Sequence, residues 1–202
     1  MATAEELLKS VSAWQTGHFL LSSGLHSSEY MQCQRVLQYP AHGLELARQL
    51  AKKIVEAGLK PQVVVGPALG AVHLEVFVAI ALNDLLEKEL GSQVRAVFAE
   101  RTEDGTGFAI RRGVELAPGE RVLVVEDVTT TGGSAKKVVD LVKVMGADPI
   151  AVAAIIDRSG GRAKFDQPFI NLVCLDIETF DTKDCPMCKS GSSATKPGSS
   201  NK

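Results

Sequence analysis

Two adjacent carboxylates, Glu126 and Asp127, belong to the stretch with the clearest chemical meaning, VLVVEDVTTTGGS at residues 122–134. The four apolar residues before them predict a buried strand, so both carboxylates stand at its carboxyl end. Ligands of open parallel sheets bind outside this end of the strands. Because neighbouring strand residues point to opposite faces, we expect the two carboxylates to have different roles.

The loop TTTGG after the carboxylates leads into the N-terminus of the next predicted helix. Unpaired amides and the helix dipole make such an N-terminus an anion site, where glycine allows close backbone approach and hydroxyls add donors. Carboxylates repel a phosphate, so they must face other partners, either the vicinal hydroxyls of a sugar or a divalent cation. Together these features predict a pocket for a ribose 5-phosphate.

Two common nucleotide-binding motifs are missing from the chain. It contains neither G-x-x-x-x-G-K-[ST] nor G-x-G-x-x-G after a strand, which disfavours a P-loop NTPase and a dinucleotide-binding Rossmann domain. A simpler interpretation of residues 128–134 is a polar turn between strand and helix with a serine cap. The two acids that follow four buried apolar residues favour the ligand site over that turn.

Strands and helices alternate along the chain and would position this stretch. Thr3 and Glu6 form a capping-box pair that begins an N-terminal helix. Helical spacing occurs at residues 44–55, 67–90 and 134–147, and strand patterns occur at residues 62–66, 94–100, 121–127, 150–158 and 170–176. The pattern predicts an α/β domain with a parallel sheet flanked by helices. Residues 18–32 are expected to form a small N-terminal hood of short extended pieces.

The composition and charge of the 202 residues narrow the setting. We expect one domain at residues 1–189 and a disordered Gly/Ser-rich tail at residues 190–202. The net charge of −2 predicts no nucleic-acid partner and no attraction to acidic membranes. The longest apolar stretch, VFVAIAL, is too short to span a bilayer, and no secretory leader is evident. Four scattered cysteines favour a reducing, cytoplasmic location.

A single C-x-x-C pair, Cys185 and Cys188, lies near the C-terminus. A structural zinc site needs four ligands, and the other cysteines are distant in sequence. The histidines show no ligand spacing along the chain; they are His18, His26, His42 and His73. We therefore assign no residue as a metal ligand and expect a reduced pair, with metal or redox use as the alternative.

The thirteen residues 122–134 closely resemble the signature of type I phosphoribosyltransferases: four apolar residues, two acids, an apolar or threonine pair, then Thr-x-Gly-x-[Ser/Thr/Ala]. Three further segments resemble the orotate phosphoribosyltransferase family, namely GHFLLSSGLHSSEYMQ, VVVGPALGAV and IIDRSGGR. The segments occur in the family's order and cover most of residues 15–165. The resemblance implies the type I phosphoribosyltransferase fold, Mg²⁺ as cofactor and a homodimer.

The reaction that the resemblance implies transfers the phosphoribosyl group of 5-phosphoribosyl 1-pyrophosphate (PRPP) to N1 of orotate, giving orotidine 5′-monophosphate and pyrophosphate. It also implies residue roles. Glu126 and Asp127 would bind the ribose hydroxyls, with Asp127 also catalytic, and Thr130 and Arg158 would contact orotate. The full PRPP-binding stretch is Glu126, Asp127, Val128, Thr129, Thr130, Thr131, Gly132, Gly133 and Ser134. The residues bordering the base would be Ser22, Ser23, Gly24, Tyr30 and Met31.

The chain departs from the family's pattern in the region of the catalytic lid, residues 99–113. This region has neither the lysines nor the histidine that the family usually carries there. Arg101 is our catalytic candidate for the pyrophosphate, in its own site or a neighbouring subunit's, and Arg111 is the second candidate. The alternative interpretation is a hairpin with a solvated charged tip. Ser22 and Gly70 also occupy positions where family members carry lysine.

Two other functions share parts of this pattern. One is a phosphoribosyltransferase for another nucleobase, which would have the signature but not the segment HFLLSSGLHS. The other is a ligand-sensing regulator on the same fold that binds nucleic acid. The net charge of −2 and the lack of a basic patch with interleaved aromatic residues argue against the regulator.

Overall fold

The structure, a computed structural model, describes residues 2–21 and 23–197 and, apart from the side chain of Glu87, their side chains. The helices are α1 (Ala4–Ser10), α2 (Gln34–Leu37), α3 (Pro40–Glu56), α4 (Val72–Leu90), α5 (Gly133–Val144) and α6 (Pro186–Lys189). The strands are β1 (Trp14–Leu20), β2 (His26–Met31), β3 (Val63–Pro67), β4 (Arg95–Arg101), β5 (Phe108–Ala109), β6 (Arg121–Thr129), β7 (Asp148–Asp157), β8 (Phe169–Cys174) and β9 (Thr179–Phe180).

A six-stranded sheet in the order β5-β4-β3-β6-β7-β8 forms the centre of the fold. All its neighbouring pairs are parallel except the short β5, which runs antiparallel to β4. Continuous apolar runs in β3 and β6 are buried on both faces, as parallel strands between helix layers require. The predicted α/β fold with a parallel sheet flanked by helices is thereby confirmed.

Two apolar clusters lie on opposite faces of this sheet. One joins the helices α1, α3 and α4 to the sheet and contains Leu123 and Val125 of β6. The other packs α5 against the sheet and contains Val122 and Val124. Alternate residues of β6 therefore point to alternate layers, and this alternation determines where the side chains beyond Val125 lie.

The predicted hood is a separate sheet of three strands in the order β1-β2-β9. β1 and β2 form an antiparallel hairpin, and β9, from near the C-terminus, pairs with His26 and Ser27 of β2. The helices α2 and α6 and the strand β9 were not predicted, because elements of two to four residues leave no periodic pattern. Across the described part of the chain, no helix combines the length and apolarity needed to cross a membrane.

Part of the segment predicted to be a disordered tail, residues 190–202, contacts the hood. The Thr195 amide donates to the His18 carbonyl at 2.9 Å, and the Leu20 amide donates to the Thr195 carbonyl at 2.8 Å. The chain at Thr195 thus pairs with β1, because the unpaired edge of that strand offers hydrogen-bonding groups that a polar segment can satisfy. Residues 198–202, the rest of the predicted tail, lie outside the described residues.

The first turn of α4 buries a carboxyl group. Glu75 is 1% exposed, and its Oε2 atom has no hydrogen-bond partner among the described residues. Gly66 of β3 leaves room for it, since a Cβ atom at Gly66 would lie 2.8 Å from that oxygen. Burial raises the pKa of Glu75 from 4.5 to about 8, so the folded protein holds this carboxyl in its neutral form at neutral pH.

We expect Glu75→Gln to flatten the pH dependence of stability between pH 4.5 and about 8. In this range the folded carboxyl keeps a proton that the unfolded chain has released, so the free energy of unfolding of the wild-type protein falls as the pH rises. The variant's advantage should grow by roughly 1 kcal/mol for each pH unit. Urea denaturation across this range measures it, with the exposed Glu56→Gln as the control. Parallel curves for Glu75→Gln and wild type would contradict the assignment.

Candidate functional site

Glu126 and Asp127 lie on opposite faces of β6, as expected from strand geometry. Leu123 and Val125 point to the layer of α3 and α4, and Asp127, two residues further along the strand, points to the same side. Val122 and Val124 point to the layer of α5, and Glu126 follows them on that side. Each carboxylate therefore meets different neighbours at the carboxyl edge of the sheet.

Asp127 is enclosed between the loop after β3 and the segment after the hood. Its Oδ1 atom accepts from the Val128 amide at 2.9 Å, and the Cys33 thiol points at its backbone carbonyl at 3.8 Å. A Cβ atom on Gly70 would lie 3.1 Å from Oδ1. Burial raises the pKa of Asp127 above 3.8. A side chain at position 70 would therefore be in close contact with the carboxylate of Asp127.

Glu126 faces the N-terminus of α5 and the end of β4. Burial and the neighbouring charge of Asp127 raise its pKa to about 7, while the Ser134 hydroxyl, the Ala135 amide and Arg101 act in the opposite direction. A partly desolvated carboxylate with nearby donors is suited to accept hydrogen bonds from the hydroxyls of a ligand. A cation close to the pair would also stabilise its ionised form.

The loop between β6 and α5 has the features of an anion site. Gly132 is the N-cap of α5 with a φ of 76°, and no side chain caps the helix there. The Gly133 amide meets the Thr131 hydroxyl at a long 3.4 Å. Thr129 is buried with its hydroxyl unpartnered among the described residues, whereas Thr130 and Thr131 are exposed at the edge of the sheet. The first turn of α5 thus lies next to both the carboxylate of Glu126 and the exposed threonines, where an anion could accept from its amides.

Gly132→Ala is expected to lower the free energy of unfolding by about 1–3 kcal/mol. Its φ of 76° is strained for other residues, and the added Cβ atom would lie 2.7 Å from the Phe165 ring. Gly133→Ala is the matched control in the same loop, because its Cβ atom would meet only the Thr131 hydroxyl at 3.5 Å. Urea denaturation of both variants measures the difference; equal losses would contradict the role assigned to Gly132.

Arg158 follows β7 and is brought beside the end of β6 by a hydrogen bond from its amide to the Thr129 carbonyl, 2.8 Å long. Its side chain is half-buried, and burial lowers its pKa, while Tyr30 of the hood acts in the opposite direction. A cavity of about 450 Å³ opens here. Its lining residues are Thr130, Thr131, Arg158, Ser159, Arg162, Ala163, Ile177 and Thr179. The predicted pair of Thr130 and Arg158 thus borders one cavity.

Asp157, which was not among the predicted site residues, accepts hydrogen bonds from the loop that carries Arg158. Its buried carboxylate accepts from the Ser159 amide at 2.8 Å, from the Ser159 hydroxyl at 2.6 Å and from the Gly161 amide at 3.1 Å. The available signal was a charged residue directly after the apolar run IAVAAII of β7. Asp157 is therefore a positioning residue for Arg158.

The hood residues expected near the base occupy different places. Tyr30 lies close enough to Arg158 to influence its pKa, but Met31 is 7% exposed and packs into the core. Ser23 and Gly24 form the exposed turn between β1 and β2. Ser22 lies outside the described residues.

Just beyond β2, Gln34 donates to the Gly70 carbonyl at 2.8 Å and ties this segment to the loop beside Asp127.

Residues 99–113 include the antiparallel pair β4 and β5, which is the hairpin considered as an alternative to a lid. Asp104 organises its tip by accepting from the Thr102 hydroxyl at 2.5 Å and the Thr106 hydroxyl at 2.7 Å. Arg111 and Arg112 both form ion pairs with Glu100. Arg111 Nη1 lies 3.9 Å from Oε2 of this carboxylate, and Arg112 Nε lies 2.6 Å from its Oε1. Arg101 is exposed, lies over the Phe108 ring at 5.2 Å and acts on the pKa of Glu126. Arg101 is therefore the arginine of this region whose charge acts on the carboxylate pair.

Four residues that the sequence left apart come together in the hood. His18, His26, Cys185 and Cys188 place one nitrogen or sulfur atom each within 4.8 Å of one another. The expectation of a reduced C-x-x-C pair without further ligands overlooked this cluster, because its members are up to 170 residues apart in sequence. Spacing along the chain could not reveal it.

Comparison with known proteins agrees with this geometry. The family model for the phosphoribosyl transferase domain matches residues 35–184. The orotate phosphoribosyltransferase of Thermotoga maritima is 46% identical over 195 residues, which cover 96% of this chain and 97% of the relative. That of Caldanaerobacter subterraneus subsp. tengcongensis is 45% identical over 194 residues, covering 96% of this chain and 95% of the relative.

Solved structures show the same fold. The orotate phosphoribosyltransferase of Aeropyrum pernix has a TM-score of 0.66 at 24% identity, covering 85% of this chain and 93% of that chain. An adenine phosphoribosyltransferase has a TM-score of 0.64 at 20% identity, and the match covers 85% of this chain and 99% of that chain. The fold is thus common to enzymes named for different bases. The family model matches about three quarters of the chain, and relatives above 40% identity match nearly all of it, so the chain belongs to the phosphoribosyl transferase family.

Proposed function

We propose that the protein transfers the phosphoribosyl group of PRPP to N1 of orotate and releases pyrophosphate, a step of pyrimidine nucleotide synthesis. The observation that carries the proposal is the convergence at one sheet edge of two carboxylates, an uncapped helix N-terminus and an arginine-lined cavity of about 450 Å³. Sugar hydroxyls, a phosphate and a base carboxylate are the ligand groups that match these three features.

The choice of orotate is supported by Arg158 and by the names of the relatives. The guanidinium group presents a planar fork of donors that matches a carboxylate, and partial burial strengthens that pairing. Purines and uracil lack the carboxylate that orotate carries. The relatives that cover nearly the whole chain are named orotate phosphoribosyltransferase.

Our proposed mechanism depends on positioning and charge, without a covalent intermediate. The amides of the first turn of α5 and the hydroxyls of Thr130 and Thr131 would hold the 5-phosphate, while Glu126 and Asp127 would accept from the ribose hydroxyls. Anchored at both ends, the anomeric carbon would face N1 of orotate as the bond to pyrophosphate breaks. Developing positive charge at that carbon would be stabilised by the carboxylate pair.

Magnesium fits the chemistry of this edge. Hard carboxylate oxygens are its preferred protein ligands, and the raised pKa values of Glu126 and Asp127 indicate two desolvated carboxylates that a cation would stabilise. Glu126 and Asp127 would hold the ion directly or through its waters. Bound Mg²⁺ would supply positive charge to the pyrophosphate.

Arg101 is proposed to supply further charge to the leaving pyrophosphate. A cavity of about 610 Å³ adjoins it, lined by Ala68, Leu69, Val72, Phe98, Glu100, Arg101 and Arg112. The proposal also includes a homodimer, supported by the exposed apolar side chains of Val76 and Ile80 on one face of α4. A cytoplasmic location belongs to it as well, because none of the four described cysteines forms a disulfide.

Pyrophosphate release tests the proposed function. With PRPP, Mg²⁺ and orotate, the protein should release pyrophosphate and form a nucleotide that absorbs as orotidine 5′-monophosphate. Uracil, adenine and hypoxanthine form the comparison panel. Turnover of one of these bases but not of orotate would favour the phosphoribosyltransferase for another nucleobase, and no turnover of any base would contradict an enzymatic role.

A further inference from the structure

A cluster of histidine and cysteine side chains lies in the hood, on strands and a helix that the proposed reaction does not use. His18 belongs to β1, His26 to β2, Cys185 immediately precedes α6 and Cys188 lies within it. His18, His26 and Cys185 are buried, and Cys188 is partly buried. Three separate segments of the chain thus bring four side chains of metal-binding type to one point.

The separations between the ligand atoms fit a single tetrahedral ion. Zinc binds sulfur at about 2.3 Å and nitrogen at about 2.0–2.1 Å, so a regular tetrahedron places the two kinds of atom about 3.5 Å apart. In the structure, Cys185 Sγ lies 3.5 Å and Cys188 Sγ 3.7 Å from His18 Nε2. Cys188 Sγ lies 3.3 Å from His26 Nδ1.

Among these four separations, the one between the two histidine nitrogens departs most from the tetrahedral value. His18 Nε2 and His26 Nδ1 are 2.8 Å apart, about 0.5 Å closer than two nitrogens on a zinc tetrahedron. A small rotation of either ring removes the difference. Without an ion this contact is a hydrogen bond between two rings, which uses one nitrogen of each and leaves both thiols without a strong acceptor.

The other nitrogen of each ring is already oriented by a hydroxyl group. His18 Nδ1 lies 3.1 Å from the Ser192 hydroxyl, and His26 Nε2 lies 3.2 Å from the Thr182 hydroxyl. Such outer partners fix the tautomer and the direction of metal-bound imidazoles. Both hydroxyls come from the C-terminal segment that also carries the cysteines, so that segment presents ligands and supports together.

The charge of the set is balanced for a buried site. Two thiolates and two neutral imidazoles around a divalent cation carry no net charge, which avoids the cost of burying an unpaired ion. Binding would release the two thiol protons to solvent. A closed set of two sulfur and two nitrogen ligands, with no open position, is typical of structural rather than catalytic zinc.

The location explains why such a site is useful. β9 contributes only two residues to the hood sheet, and the buried residues at this end of the hood, among them Phe19 and Leu21, belong to neither of the two main apolar clusters. A small sheet with little apolar burial gains stability from a metal that joins distant segments. We propose that His18, His26, Cys185 and Cys188 bind one structural zinc ion that fastens the C-terminal segment to the hood.

Metal analysis of the wild-type protein is the primary test. Tag-free protein, produced with zinc in the medium and dialysed without a strong chelator, should contain about one zinc ion per chain. Replacement by Co²⁺ should give the intense visible bands of a tetrahedral ion and a thiolate charge-transfer band in the near ultraviolet. Zinc-free protein with weak octahedral Co²⁺ bands, or a disulfide between Cys185 and Cys188, would overturn the proposal. Neither measurement requires orotate turnover, so its failure is distinct from that of the proposed function.

Variants then assign the ligands. Cys188→Ser and His26→Gln should each lower the zinc affinity at least about 100-fold, and both should lower the Tm by about 5 °C or more. Cys174→Ser and His73→Gln are matched controls at exposed positions outside the cluster and should keep the full zinc content. Retention of zinc by Cys188→Ser and His26→Gln, or its loss from the controls, would contradict the assigned ligands.

Discussion

Asp127→Asn is expected to lower kcat by about 10²–10³-fold, the largest single effect that the site predicts. The amide keeps the shape of the carboxylate but removes its charge and converts one acceptor into a donor. Asp127 stands between the Gly70 loop and the segment after the hood, with little space to reorient. A sugar hydroxyl that donates to this carboxylate would lose its acceptor at the moment when positive charge develops on the anomeric carbon.

Stability separates this catalytic effect from a structural one. Because burial raises the pKa of Asp127, its ionised form is desolvated in the folded protein, and a neutral asparagine relieves that cost. The Tm of Asp127→Asn should therefore equal or exceed that of the wild-type protein at neutral pH. Steady-state kinetics with PRPP and orotate, together with thermal unfolding, measure both. The exposed Asp84→Asn is the control; near-normal kcat in Asp127→Asn would refute the assigned role.

Arg158→Lys is expected to raise the KM for orotate by about 10–100-fold and to leave the KM for PRPP nearly unchanged. Lysine retains the charge but cannot present two parallel donors to a carboxylate. The half-buried position makes the loss larger than at an exposed site, because less water is available to replace the missing hydrogen bond.

Arg162→Lys is the matched control for this prediction. Arg162 lines the same cavity, but its guanidinium is already 2.8 Å from Asp176 Oδ1 in an exposed ion pair. Its substitution should change the KM for orotate by less than about threefold. An increase in the orotate KM in Arg162→Lys but not in Arg158→Lys would transfer the base-binding role to Arg162. Equal increases in both KM values for Arg158→Lys would indicate a collapsed loop instead of a lost base contact.

Five of the six strands of the central sheet, and the segment that carries the candidate carboxylates, could be predicted from the sequence. Helical and strand periodicities depend on residues a few positions apart, so the buried runs of β3, β6 and β7 were recognisable without a structure. The carboxylates of the signature follow β6 directly, and strand alternation alone places Glu126 and Asp127 on opposite faces. Local order was sufficient for these features, because each is encoded within a single continuous segment.

The contacts between segments that are distant in sequence could be seen only in the tertiary structure. Met31, expected near the base, packs into the core, and Gly70 lies against the carboxylate of Asp127. Thr195, in the segment predicted to be a disordered tail, pairs with β1. The histidines of the hood and the C-x-x-C pair are joined only because β1, β2 and α6 converge. Contacts between segments so far apart in the chain depend on how whole elements pack, and no local pattern of residue types records that packing.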